Sequence, residues 1–195
     1  MIRAVATACL LGLAACQATV TLPAYTPVTT REFAGTLSVA DFTYTPPGRT
    51  AQNEIRENAV GNVFVTEPVG TYFANAVRRE LRQAGISLRG GPCTLTGQVH
   101  DFATESLGFE VTYITDATYR LIGPAEQSLL ERQFRVSFKT SKFIDATLYL
   151  GSVNKAVADN IAQLLADPSF RAALDGPCAP PPPAPAAPRR AAPRV

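Results

Sequence analysis

The chain has 195 residues, 46% hydrophobic and 17% charged, with a formal net charge of +2. That apolar fraction is too high for a wholly disordered chain, and the length suits one domain with its own core. A single His excludes a multi-histidine metal site, and the near-neutral charge argues against a dedicated nucleic-acid binder.

The chain opens with a short basic start at Arg3, an uncharged apolar run from Ala4 to Leu13, and small residues before a Cys. This is the layout of a secretory signal peptide, expected over residues 1–15. The apolar run is too short to cross a bilayer as a helix, which needs about 20 residues. The string Leu13-Ala14-Ala15-Cys16 resembles the lipobox of bacterial lipoproteins. That resemblance implies cleavage before Cys16 and acylation of its thiol, so that the membrane is the first expected partner. Each buried CH₂ contributes about 0.8 kcal/mol, so two or three acyl chains hold a soluble domain firmly. Gln17 stands where enteric lipoproteins retained at the inner membrane carry Asp, which favours the periplasmic face of the outer membrane. Residues 16–34, with Pro23 and Pro27 among many Thr and Ala, read as the lipidated N-terminus and a tether.

The folded domain is expected over 35–176. Thr36 to Tyr44 reads as a strand ending at Pro46-Pro47-Gly48, and the polar stretch 48–61 reads as a loop. Asn62 to Val65 suits a short strand. A helix follows over about 67–84, with Thr66 as cap and Gly85 as stop. Its apolar stripe is Val69, Phe73, Val77 and Leu81. Arg78, Arg79 and Arg82 read as a solvated face near its C-terminal end. Ile86-Ser87-Leu88 looks like a short strand. Three longer strands are expected at 93–102, about 108–122 and about 130–143. In the second, Phe109, Val111, Tyr113, Ala117, Tyr119 and Leu121 share one face; in the third, Phe134, Val136 and Phe138 face inward. This alternation indicates an antiparallel sheet with one wet face. A last long helix covers about 150–166, ended by Asp167-Pro168, with a short helical turn near 169–174. The expected class is α+β: a mixed, mostly antiparallel sheet with two long helices packed on one face.

Residues 177–195 hold eight of the sixteen prolines and Arg189, Arg190 and Arg194, and read as a Pro/Arg-rich disordered tail. Without signal and tail the domain carries fourteen basic against sixteen acidic residues, so it has no basic field for nucleic acid. With Cys9 removed with the signal and Cys16 acylated, Cys93 and Cys178 remain. They either stay as separate thiols or form the single bridge that an oxidising periplasm allows, and the even pair favours the bridge.

No catalytic set stands out. His100 shares a strand face with Thr94, Thr96 and Gln98 and reads as a surface residue. Asp101, Glu105 and Glu110 read as solvent-exposed carboxylates near a hairpin. No Gly-x-Ser-x-Gly, phosphate loop or Cys-x-x-Cys occurs. No catalytic residue, metal ligand or cofactor is therefore nominated.

The order of features carries a second resemblance. Leu22-Pro23 follows the anchor; Val39-Ala40-Asp41 lies in the first strand; Val77 to Leu81 with Gly85-Ile86 closes the first helix; three strands and a helix with an Asp-Pro end follow. Over about residues 20–175 this resembles the YajG-type bacterial lipoproteins. In outline it is also similar to auxiliary lipoproteins of transport systems and to TolB-N-like domains. The resemblance implies an envelope protein and supplies no catalytic residues. The expected function is that of a non-enzymatic envelope lipoprotein that docks on another envelope protein, or on a component of the wall or lipid transport machinery; the alternatives are a carrier of an apolar ligand and an enzyme such as a cell-wall hydrolase.

Overall fold

The computed structural model describes residues 19–59, 61–142 and 146–179, the side chains of 107 and 146–150 excepted. The signal segment, Cys16 and the tail from residue 180 lie outside it.

Strand β5 (Thr94–Leu107) is the centre of a seven-stranded sheet. On one edge it pairs antiparallel with β6 (Glu110–Ile122), from Thr94↔Ile122 to Leu107↔Glu110. Strand β7 (Ser128–Ser141) pairs antiparallel with β6 and forms one margin of the sheet. The other edge of β5 is shared by two strands in tandem, both parallel to it. β2 (Ser38–Tyr44) takes the first half, up to Tyr44↔Val99, and β3 (Glu54–Glu57) takes Ala103 and Thr104. β4 (Val63–Val65) runs antiparallel to β3, and β1 (Thr19–Val20) runs parallel to β4. The class is thus α+β with a mixed, mostly antiparallel sheet, as its alternation indicates.

The described residues form three helices. α1 (Val69–Gln83) packs on β2 and β5; α2 (Ala146–Ala166) packs on β6 and β7 and touches α1; α3 (Pro168–Asp175) lies against α2 and β7. Thr66 does not cap α1. The cap position is Pro68, which makes no side-chain cap bond. The sharper signal lies at α3, where Asp167 accepts from the Ser169 amide at 2.7 Å and Pro168 takes the first turn. α1 approaches β2 so closely that a Cβ at Gly70 would sit 2.3 Å from the Phe42 carbonyl oxygen.

Aromatic rings meet between the helices and the sheet. Phe73 meets Phe102 edge-on with centroids 5.6 Å apart, and Phe42 meets Tyr119 at 5.8 Å. Asn160, fully buried on α2, accepts from the Tyr119 hydroxyl and donates to the carbonyls of Thr115 and Phe134. A buried amide is tolerated when its donors and acceptor are paired, and this one ties α2 to two strands.

Two expectations change. The polar stretch 48–61 is not all loop, because β3 lies in it. Its acidic residues hide the strand from a hydrophobic pattern, yet each is paired. Glu54 accepts from the Ala51 amide and Asn62 Nδ2, both at 2.9 Å, and Glu57 accepts from Thr104 Oγ1. Residues 86–88 form no strand of their own; Ser87 makes only an isolated bridge to Thr36.

A larger change concerns the tether. Its described part, from Thr19 to Ala34, is packed along the domain. Tyr25 is 2% exposed and Glu80 of α1 is 1% exposed. The Glu80 carboxylate accepts from Tyr25 Oη at 2.5 Å and from the amides of Val28 and Thr29 at 2.8 and 3.0 Å. Burying a carboxylate requires such donors. Burial and this bond hold the Tyr25 phenol well above its ordinary value. Asn154 exchanges hydrogen bonds with the backbone of Thr26, and the Phe33 amide donates to the Ala84 carbonyl at 2.8 Å.

Cys93 and Cys178 are bridged, with Cα atoms 5.4 Å apart and both residues fully buried. The domain boundary therefore extends past 176 to include Cys178, which fastens the end of the chain beside the start of β5.

Replacing both cysteines by Ser removes a link across 85 residues, and chemical denaturation should show a loss of about 2–4 kcal/mol. Glu80→Ala leaves the Tyr25 hydroxyl and two amides without an acceptor, and should cost about 2–4 kcal/mol with faster hydrogen exchange at residues 25–29. Tyr72 gives the opposite case. Its buried hydroxyl has no hydrogen-bond partner, and burial pushes its phenol up to about 12. Tyr72→Phe should leave the denaturation midpoint unchanged or raise it.

Candidate docking face

The helices cover one face of the sheet; the other is open. What stands on it is decided by a bulge in β5. Val99 pairs with Ala117 and Asp101 pairs with Asp116, so His100 is an extra residue in the ladder. Before the bulge, Thr96 and Gln98 point to the open face. After it the alternation is reversed, and Asp101 takes that face beside Asp116.

Four charges meet there. Arg56 of β3 binds Asp101 through Nη2 at 2.9 Å and Nε at 3.3 Å. Arg135 of β7 lies 3.3 Å from Asp116 and 3.8 Å from Asp101. Gln133 Nε2 donates to Asp116 at 2.8 Å. The two aspartates are 6% and 7% exposed, so the network is a buried one with a partly open rim. The bond to Asp101 raises the already high basicity of Arg56. Asp101 is therefore not the exposed carboxylate that its neighbourhood suggests. Glu105 is half-buried at the edge of the network, 3.9 Å from Arg56, and Glu110 is exposed with Lys139 at 3.2 Å. The three carboxylates do not converge.

Next to the network, Thr43, Gln98, His100, Thr118, Arg120 and Glu131 border an open groove of about 360 Å³. His100 Nε2 lies 2.7 Å from Thr118 Oγ1, and Gln98 donates to Thr45 Oγ1 at 2.8 Å. Arg120 forks onto Glu131 at 2.8 and 3.1 Å, which holds the Glu131 carboxyl below its usual range. His100 is half-buried rather than a plain surface residue. Among the described residues, no three His, Cys, Asp or Glu side chains form a metal-binding group. The groove offers hydroxyls, amides and fixed ion pairs, which suit hydrogen bonding to an extended polar segment.

Of the residues singled out in the sequence, the structure joins Cys93 to Cys178, while Cys16 lies outside the described residues. Sequence reasoning missed Asp116, Arg135 and Arg56 as a unit. The alternation along β6 and β7 could have paired Asp116 with Arg135, but Arg56 depends on a strand hidden in polar sequence.

No family model matches the sequence, and no curated protein matches it. Solved structures share its fold. A Xanthomonas campestris protein of the DUF330 family is 14% identical, with 81% of this chain and 98% of that one covered and a TM-score of 0.61. An uncharacterized protein is 16% identical over 76% and 95%, TM-score 0.53. A hypothetical protein from Chlamydia trachomatis is 6% identical over 71% and 98%, TM-score 0.50. At these identities the likeness is one of fold.

The two ion-pair groups should separate on mutation. Asp101→Ala removes both hydrogen bonds of the half-buried Arg56 guanidinium, leaving Glu105 at 3.9 Å, and should lower stability by about 1–2 kcal/mol. Arg120→Gln breaks an exposed pair and should leave the denaturation midpoint unchanged.

Proposed function

We propose that the chain is a lipoprotein of the bacterial envelope, acylated at Cys16 and facing the periplasm from the outer membrane. It acts without catalysis, by docking a second envelope protein along β7 and the open face of the sheet. The YajG-type affiliation belongs to this proposal and rests on the order of elements.

The observation that carries the docking reading is the margin of the sheet. β7 is fourteen residues long and pairs with β6 alone among the described strands. An edge of this length presents backbone donors and acceptors to an incoming strand. Its open-face residues Glu131, Gln133, Arg135, Ser137 and Lys139 are exposed. Four of them already engage β6 in ion pairs or hydrogen bonds: Glu131 with Arg120, Gln133 and Arg135 with Asp116, and Lys139 with Glu110. Their charges discourage indiscriminate pairing and leave a patterned surface for a matched partner. The alternative, a carrier of an apolar ligand, requires room between sheet and helices. Phe42, Phe73, Phe102 and Tyr119 occupy that space.

A photoreactive residue placed at Ser137 in cells should give one discrete adduct with an envelope protein. The same residue at Gln83, exposed on α1, should give none. Equal adducts from both positions, or none from Ser137, would remove the docking reading.

A further inference from the structure

We propose that the β5–β6 hairpin tip is a second membrane contact, which stands the domain on the bilayer with its strands pointing into the lipid surface. The inference rests on acylation of Cys16 and adds an orientation to it.

Strand directions gather the relevant groups at one end. β5 runs toward the tip and β6 away from it; β7 runs toward it again, since Glu110 pairs with Ser141. β3 is parallel to β5, β4 is antiparallel to β3, and β1 is parallel to β4. β1 therefore runs away from the tip, and the chain enters it from the tip side. Cys16 precedes Thr19 by three residues, a span of at most about 11 Å. An acyl anchor on Cys16 thus holds Thr19 within that distance of the lipid.

Register then gives the heights. Thr19 pairs with Phe64, and Phe64 with Glu54. Arg56 pairs with Ala103, which puts Glu54 level with Asp101. From Asp101 to Leu107 is six residues, or about 20 Å of strand. The three residues from Cys16 to Thr19 can cover at most about half of that rise. The hairpin consequently reaches farther along the strand direction than the anchor does, displaced sideways by three strand spacings, about 14 Å. A bilayer that holds Cys16 meets the tip as well.

The tip is built for that contact. The loop is two residues, and Gly108 at φ 61° makes its tight turn. The turn lifts Phe109 clear of the core that its strand face predicted for it. Phe109 is 75% exposed, the most exposed large apolar side chain among the described residues. Lys142 flanks it: its amide donates to the Phe109 carbonyl at 2.9 Å, and its ammonium reaches the Ser106 carbonyl at 3.1 Å. Lys139 and Glu110 pair just behind. An aromatic ring beside a lysine, at the end carrying the anchor, fits the interface of an anionic bilayer.

The chain contains no Trp, so Phe109→Trp installs a single reporter. The full acylated protein would be reconstituted into phosphatidylethanolamine–phosphatidylglycerol vesicles, with and without bromine-labelled acyl chains. Val28→Trp is the comparison. Val28 is also exposed, at 58%, and lies beside Leu165 near the far end of α2. Brominated lipid should quench the emission of the Phe109→Trp protein about twofold or more and shift it to the blue, while the emission of the Val28→Trp protein stays unchanged. Protein that floats with vesicles but shows no quenching at position 109 overturns the tip contact and leaves the anchor standing. Protein that does not float overturns both.

Discussion

Strand β5 must satisfy its backbone on both edges at once, and the rest of the domain is arranged around that demand. On the β6 side an antiparallel hairpin does so along the whole length, with one bulge. On the other side no single strand suffices. β2 covers the first half, the chain leaves the sheet through Pro46-Pro47-Gly48, and β3 returns to cover part of the second. The detour brings β3 and β4 to the margin, where β1 completes the ladder. Covering β5 from one side by α1 and from the neighbouring strands by α2 then closes the core.

The same strand shows how a local irregularity makes a surface. The extra residue at His100 exchanges inside for outside over the rest of β5. Without it Asp101 would point at the core, where no arginine waits. With it, Asp101 and Asp116 face two arginines from opposite sides, one from β3 and one from β7. The network therefore joins strands that are far apart in the chain and spans the open face.

Much of the fold was legible because hydrophobic periodicity reports burial on one face. That held for α1, through Val69, Phe73, Val77 and Leu81, and for β6 and β7. Cysteine counting pointed to the Cys93–Cys178 bridge. The illegible parts are those held by polar contacts. β3 reads Glu-Ile-Arg-Glu, and its strand character depends on partners such as Asn62, Thr104 and Asp101 that no local pattern links to it. Residues 19–34 show no periodicity because their docking rests on scattered contacts: the side chains of Leu22 and Tyr25, the Val28 and Thr29 amides on Glu80, and the backbone of Thr26 and Phe33 on Asn154 and Ala84. Phe109 sits in phase with the inward face of its strand, and only the tight turn at Gly108 removes it. The docking face was obscured for a related reason: a one-residue bulge reverses the faces on which alternation arguments depend.

The disulfide has a geometric consequence for the C-terminus. Cys178 is fastened to Cys93, one residue before β5 begins, which is the end of the sheet opposite the Gly108–Phe109 turn. The chain thus enters β1 from the side of the Gly108–Phe109 turn and reaches Cys178 at the opposite end of β5. The covalent bridge so fixes the last described turn of the chain to the end of the sheet remote from that hairpin, and gives the domain two distinct ends.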